Sequence, residues 1–129
     1  MKIINIDLGQ KSYPIYVGNN LLSNNTIFKK HIQTKKIILV SNTTVAPLYL
    51  DTVISSLGND KEIIPIILPD GEQYKNIDTL NQIYDVLLQH KCDRDILLIA
   101  LGGGVIGDIT GYAAAVSYTH LTLLTICSV

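Results

Sequence analysis

Apolar residues in this chain fall into short blocks whose spacing switches between that of strands and that of helices. Residues 2–8 and 13–18 read as strands, the second with Tyr and Val suited to a half-buried sheet, and Gly9 to Ser12 between them reads as a hairpin turn. Leu21, Leu22, Ile27, Phe28 and Ile32 give a loose helical face. Lys35 to Val40 then makes a buried-type strand ending at Ser41-Asn42. A helix over Val45 to Leu57 gathers Val45, Leu48, Tyr49, Val53, Ile54 and Leu57 on one side, with Gly58 as its stop signal. The strand Glu62 to Leu68 follows. Ile77, Leu80, Ile83, Tyr84, Leu87 and Leu88 recur at intervals of three and four, the best amphipathic helix in the sequence. The next strand is Ile96 to Leu101. Strand and helix alternate from residue 35 onward, which predicts an α/β fold with a Rossmann-like parallel sheet behind an N-terminal antiparallel strand pair.

In such a sheet, ligands collect beyond the carboxyl ends of the strands, and the polar motifs fall there. The run Asp95-Ile96-Leu97-Leu98-Ile99-Ala100-Leu101 empties into Gly102-Gly103-Gly104-Val105-Ile106-Gly107-Asp108 and restarts as a helix. Gly102, Gly104 and Gly107 satisfy the spacing G-x-G-x-x-G, which lets backbone N–H groups approach a pyrophosphate at a helix N-terminus. Leu68-Pro69-Asp70-Gly71-Glu72-Gln73-Tyr74-Lys75 closes the preceding strand, and Asn42-Thr43-Thr44 closes the one before. Three sequence-distant segments are therefore expected to line one crevice. Each also has a plainer reading. Glycine marks many strand-to-helix turns without a ligand. Asp108, expected in the first turn of its helix, is favourable there as a capping charge. Glu72 and Lys75 suit a solvated turn, and Asn42 to Thr44 suit N-caps.

Composition narrows the field. A chain of 129 residues with 47% hydrophobic content is long enough for one α/β unit and too short for two large domains. Net charge is −1, and the basic residues are scattered apart from Lys29-Lys30 and Lys35-Lys36, so no nucleic-acid footprint is expected. No apolar run approaches the roughly 20 residues of a membrane span, and the start Met-Lys-Ile-Ile-Asn-Ile-Asp does not read as a signal peptide. A cytoplasmic protein without a membrane partner is expected. Cys92 and Cys127 are too few for a disulfide framework. His31, His90 and His120 have no metal-ligand spacing, and Cys92 stands alone among charges, so no metal site is expected within these residues.

The pair "PDGEQYK" and "GGGVIGD" resembles 3-dehydroquinate synthase. The likeness extends to Gly9-Gln10-Lys11-Ser12-Tyr13-Pro14-Ile15-Tyr16-Val17-Gly18, to Val40-Ser41-Asn42-Thr43-Thr44-Val45-Ala46-Pro47-Leu48-Tyr49 and to His90-Lys91-Cys92-Asp93-Arg94-Asp95, and covers about residues 2 to 115. Three glycines and a later Asp also occur in the glycerol dehydrogenase and iron-type alcohol dehydrogenase group. The resemblance implies a carbon–oxygen lyase of the shikimate route. Such an enzyme converts 3-deoxy-D-arabino-heptulosonate 7-phosphate into 3-dehydroquinate and phosphate, and uses NAD catalytically to take and return a hydride. It further implies that Gly103, Gly104 and Val105, with Ile106 and Gly107 of the same motif, meet the NAD pyrophosphate. Asp108 would be an NAD-site carboxylate. Glu72 and Lys75 would be further contacts within a motif that includes Asp70, Gly71, Gln73 and Tyr74, and Asn42, Thr43 and Thr44 would form the adenosine side. The usual acid about 20 residues after the glycines would fall in the tail, which has none, so Glu72 would serve instead. The family's zinc or cobalt is held by a Glu and two His of a later helical domain, absent here, and the full-length enzyme is expected to be a homodimer. Rival readings are a related sugar-phosphate cyclase such as 2-deoxy-scyllo-inosose synthase, a glycerol dehydrogenase relative, or an inactive nucleotide-binding fragment.

The likeness stops after Ala113-Ala114-Ala115. Val116-Ser117-Tyr118-Thr119-His120-Leu121-Thr122-Leu123-Leu124-Thr125 matches one translated frame of a common transposon sequencing adapter, differing only at Leu124. The expectation is an incomplete NAD-binding domain over residues 1–115, a non-native tail over 116–129, and a natural gene that continues past Ala115. The tail is itself apolar and β-prone, which suits it to pairing along the sheet.

Overall fold

A computed structural model of the chain describes residues 1–90, 96–117 and 120–125. Strands β1 (Lys2–Ile6) and β2 (Tyr13–Val17) form an antiparallel pair, in register from Lys2↔Val17 to Ile6↔Tyr13. β1 stops two residues short of the expected 2–8 because the turn captures Asp7 and Leu8. Asp7 Oδ1 accepts the Gly9 N–H at 3.3 Å, and the Leu8 N–H donates to Ser12 Oγ at 2.8 Å. The hairpin is tied to the body of the chain by a 2.7 Å hydrogen bond between Tyr16 Oη and His31 Nε2.

The rest alternates as the periodicity predicts. Helix α1 (Asn25–His31) is capped by Asn24, whose side chain accepts the Ile27 N–H at 3.3 Å. Strand β3 (Lys36–Asn42) leads to α2 (Ala46–Leu57), which has Pro47 in its first turn, where a missing N–H costs nothing. Strand β4 (Glu62–Leu68) passes through a 3₁₀ turn (Glu72–Tyr74) to α3 (Ile77–Gln89), capped by Asn76, which accepts the Thr79 N–H at 3.1 Å. Strand β5 (Ile96–Gly102) feeds α4 (Gly104–Ser117), and β6 (His120–Thr125) follows. These last four strands form one parallel sheet in the order β4-β3-β5-β6.

β3 and β5 lie inside the sheet and are covered on both faces, so their sequences are continuous apolar runs. Ile38, Val40, Leu98 and Ala100 pack against α3 and α4 through Leu80, Ile83, Leu87, Ile106, Ile109 and Ala113. The alternate residues Ile37, Leu39, Leu97, Ile99 and Leu101 pack on the other face with Phe28 of α1 and Val53 and Leu57 of α2. Burying each such side chain contributes about 1.5–3 kcal/mol. Part of the tail joins this fold: β6 pairs with β5 from Leu97↔His120 to Gly102↔Thr125. At the opposite edge Pro65 of β4 stands beside Leu39. The Glu62 N–H donates to Lys35 O at 2.8 Å, and Leu68 O accepts from the Thr43 N–H at 3.0 Å.

Two substitutions separate the sources of stability. Ile99→Ala, at a fully buried position, is expected to cost about 2–5 kcal/mol in urea unfolding followed by circular dichroism. Gly102→Ala is expected to cost about 1–3 kcal/mol for the opposite reason. Its new Cβ would stand 3.1 Å from Cβ of the buried Ile106, so the strand and helix would have to part.

Candidate nucleotide-binding crevice

The three polar segments meet beyond the carboxyl ends of β3, β4 and β5. Asn42 ends β3, and its Oδ1 accepts the N–H groups of Thr44 at 3.0 Å and Val45 at 2.8 Å. Asp70 follows β4 and reaches back to this turn: Thr44 Oγ1 donates to its Oδ2 at 2.6 Å and Asn42 Nδ2 to its Oδ1 at 3.3 Å. Gly71 then takes a φ of +134°, a region that side chains disfavour, and any Cβ there would collide with the Gln73 side chain. This glycine aims the 3₁₀ turn, which presents Glu72, Gln73 and Tyr74 at the surface and ends at Lys75.

Lys75 joins the second motif to the third. Its Nζ donates to Asp108 Oδ2 at 2.8 Å and lies 3.8 Å from Glu72 Oε1. The bond from Asp108, and then the charges of Asp108 and Glu72, hold the Lys75 ammonium above its ordinary pKa. Asp108 is the fifth residue of α4 and no acid occupies that helix's first turn, which corrects the expectation of a first-turn capping charge. The helix begins at Gly104, and Asp108 is turned toward Lys75. The N-cap reading of Asn42 to Thr44 is also revised. Asn42 satisfies turn N–H groups ahead of α2, Thr44 turns to Asp70, and the α2 cap is Val45, with no side-chain bond.

The glycine turn gains nothing from positive φ, since Gly102, Gly103 and Gly104 all stay outside that region. Their reasons differ. Gly102 is a packing glycine against Ile106. At Gly103 and Gly104 a Cβ would meet no atom within 4 Å, so the protein's own packing does not require glycine there. These two exposed residues open the N-terminus of a 14-residue helix, where free N–H groups and the helix dipole favour an anion. Val105 is partly buried against the core and the Ile106 side chain lies within it, so what they offer a ligand is backbone. The Gly107 N–H is bonded to Gly103 O at 3.1 Å.

Beside this pair lies a recess of about 330 Å³ lined by Lys75, Asn76, Leu80, Asp108, Ile109 and Tyr112. Tyr112 was not among the residues expected from the sequence, although it stands one helical turn after Asp108 and so on the same face. Among the described residues no group of three His, Cys, Asp or Glu is arranged to hold a metal ion, and no helix is long and apolar enough to cross a membrane. Cys92, Cys127 and the matching segment 91–95 lie outside the described residues.

The fold is similar to the Rossmann-like folds of sugar-phosphate cyclases. In structure the chain resembles 2-deoxy-scyllo-inosose synthase complexed with carbaglucose-6-phosphate, NAD+ and Co2+, with a TM-score of 0.78 at 17% identity over 97% of this chain and 34% of that one. It also resembles ValA, a 2-epi-5-epi-valiolone synthase from Streptomyces hygroscopicus subsp. jinggangensis with NAD+ and Zn2+ bound, with a TM-score of 0.70 at 25% identity over 93% of this chain and 33% of that one. Residues 65–128 match the family profile of the 3-dehydroquinate synthase N-terminal domain. A 3-dehydroquinate synthase from Ruthia magnifica subsp. Calyptogena magnifica is 56% identical over 115 residues, which are 89% of this chain and 32% of that protein. The chain belongs to the 3-dehydroquinate synthase family. It spans about a third of the length of the curated relatives it matches.

Because the folded state favours protonated Lys75, its tie to Asp108 and Glu72 contributes fully below the ordinary lysine pKa and is lost as pH rises through the raised one. Asp108→Asn is therefore expected to bring the Lys75 pKa back toward its ordinary value in an NMR titration of the side-chain methylene carbon next to Nζ. An unchanged titration would mean that Glu72 alone sets it.

Proposed function

We propose that the chain is the cofactor-binding part of a 3-dehydroquinate synthase, converting 3-deoxy-D-arabino-heptulosonate 7-phosphate into 3-dehydroquinate and phosphate with catalytic NAD. The observation that carries this reading is the meeting of two family motifs at one helix start. The Lys75–Asp108 bond joins them beside Gly103 and Gly104, where backbone is open and a Cβ would meet only space. The identity of 56% with a 3-dehydroquinate synthase favours that substrate over those of the cyclases matched at 17% and 25%.

In this reading the N–H groups of Gly103, Gly104 and Val105 hold the pyrophosphate, and the α4 dipole adds attraction without a side-chain cation. Glu72 accepts from ribose hydroxyls, and Lys75, held by Asp108, brings the positive charge to the rim. NAD, when bound, supplies reversible hydride exchange with the substrate's ring carbon. The part of this chain is to bind and orient, which fixes the distance and angle at which substrate and cofactor meet. The divalent metal, zinc or cobalt, finds its Glu and His ligands in the portion of the relatives' length that this chain does not span. Assignment as a carbon–oxygen lyase, a cytoplasmic location and a homodimer of the longer protein belong to the same proposal. So does the division into a native unit over 1–115 and a foreign tail over 116–129. The 115-residue match to the Ruthia magnifica protein supports that division, and sequencing the native locus through codon 116 tests it.

Gly104→Val is expected to weaken NAD binding at least about tenfold in isothermal titration, because a branched Cβ would stand where the pyrophosphate meets backbone. Lys30→Ala, on the exposed surface of α1, should leave binding unchanged. Equal affinity for Gly104→Val and the parent chain would move the site elsewhere.

The 129-residue chain is expected to release no phosphate from the heptulosonate phosphate, since catalysis needs groups from both walls of a cleft and it supplies one. Joined to the remaining two-thirds of a relative, it should release phosphate only with NAD and a divalent metal present. Accumulation of NADH instead would identify a dehydrogenase.

A further inference from the structure

The two sides of the parallel sheet are built differently. β4 closes one of them and carries Pro65 at its middle. On the other, β5 reads Ile96-Leu97-Leu98-Ile99-Ala100-Leu101-Gly102, with no charge and no proline to turn away an added strand. Residues 120–125 fill that side, running parallel to β5 in register from Leu97↔His120 to Gly102↔Thr125. Their sequence, His-Leu-Thr-Leu-Leu-Thr, contains no Asp, Glu, Lys, Arg, Gly or Pro. It begins just beyond Ser117, the last residue of α4, and so short a link holds the segment at high local concentration beside β5.

Two observations separate the place from its occupant. The structural likeness to 2-deoxy-scyllo-inosose synthase covers 97% of the chain, so it runs on past the 115 residues that match the Ruthia magnifica protein. The other is Thr110 of α4, fully buried, whose Oγ1 has no hydrogen-bond partner among the described residues. By helical spacing it stands across α4 from Tyr112, which lines the recess with Leu80 of α3. It therefore lies on the flank turned from α3, where α4 meets β5 and β6. A buried hydroxyl left unanswered is what a strand not selected for this place would leave behind.

We propose that the outer side of β5 is a strand-acceptor site for an extended, uncharged peptide added in parallel, and that residues 120–125 fill it through backbone pairing and β-propensity alone. The acceptor rests on the ladder geometry. The account of its occupant as a strand without evolved contacts rests on the proposed division at Ala115.

The test keeps the full 129-residue chain and reads amide hydrogen exchange. Successive residues of a strand point their N–H groups to opposite sides, so every second amide of β5 belongs to β6 and the others to β3. Thr122→Pro with Leu123→Pro removes two consecutive N–H groups, one of which faces β5. This variant is expected to exchange about tenfold faster at every second residue from Leu97 to Leu101, while the amides between them hold. A free peptide of residues 118–126, added in excess, should restore the protection. The same peptide with Leu121→Val, Leu123→Val and Leu124→Val should restore it equally, and one carrying the two prolines should not. In the parent chain Thr110→Val should raise the melting temperature by about 2–6 °C, since it removes a hydroxyl that nothing answers. Parent-like exchange in the double-proline chain overturns the acceptor. Rescue by the parent peptide but not by the valine peptide, or a lower melting temperature in Thr110→Val, overturns the account of the occupant. If the double-proline chain unfolds outright, refolding on addition of either leucine or valine peptide upholds the acceptor, and failure to refold overturns it. A native locus that encodes Val116 to Val129 overturns the division at Ala115 and the occupant's lack of evolved contacts with it, and the exchange measurement then decides the acceptor alone.

Discussion

The crevice depends on the backbone ladders that β3 makes on its two sides. From Lys36↔Glu62 to Asn42↔Leu68 it runs parallel to β4, and from Lys36↔Ile96 to Val40↔Ala100 parallel to β5. Parallel partners in matched register finish at the same height, so the turns after three different strands open onto one space. The Ser41 hydroxyl, fully buried, donates to Leu101 O at 2.8 Å and fastens the β3–β5 seam just below that space. A slip of one residue would invert every side chain of β3, sending the apolar set of one cluster into the other and turning Asn42 from the crevice. The two-sided core makes such a slip too costly to populate.

On this frame the polar residues divide into those spent on the protein and those left open. Asp70, Asn42 and Thr44 are spent on one another, and Lys75 is drawn to Asp108. The open groups are mostly backbone, at Gly103 and Gly104. A helix start of this kind presents aligned peptide dipoles, which are fixed by the helix and need no reorganisation to face an anion. Among the described residues beside them, the carboxylates of Glu72 and Asp108 outnumber the one cation they flank, Lys75. They suit hydroxyl-bearing parts of a ligand better than further phosphates.

Much of this was legible in the chain. β3, β5 and α3 follow from runs and spacings that have no competing reading, since Ile38, Leu98 and Ile83 must be buried and their neighbours in sequence set the period. The positions of the three polar segments followed from the parallel sheet. What could not be read were the bonds between them. Nothing local in the sequence shows that Thr44 prefers Asp70 to a capping role, because that choice depends on a loop 26 residues away. The placement of Asp108 in a first turn failed for a related reason: glycines announce that a helix is starting without fixing the residue at which it starts. Asp7 shows the same limit on a small scale, where one side-chain bond to the Gly9 N–H shortened a strand.

Pro65 has a meaning for how the sheet ends. The Glu62 N–H and the Leu68 carbonyl both point at β3 or its flanks, and alternate residues of a strand face opposite ways, so Pro65 belongs to the outward set with Ile63 and Ile67. The nitrogen that lacks a hydrogen therefore lies at the midpoint of the free border. An intruding strand that tried to zip along β4 would find its central donor missing between two apolar neighbours, and could not complete a ladder. A border rich in isoleucine is in this way kept from recruiting neighbours in a crowded cell, at no cost to the bonds that hold β4 to β3.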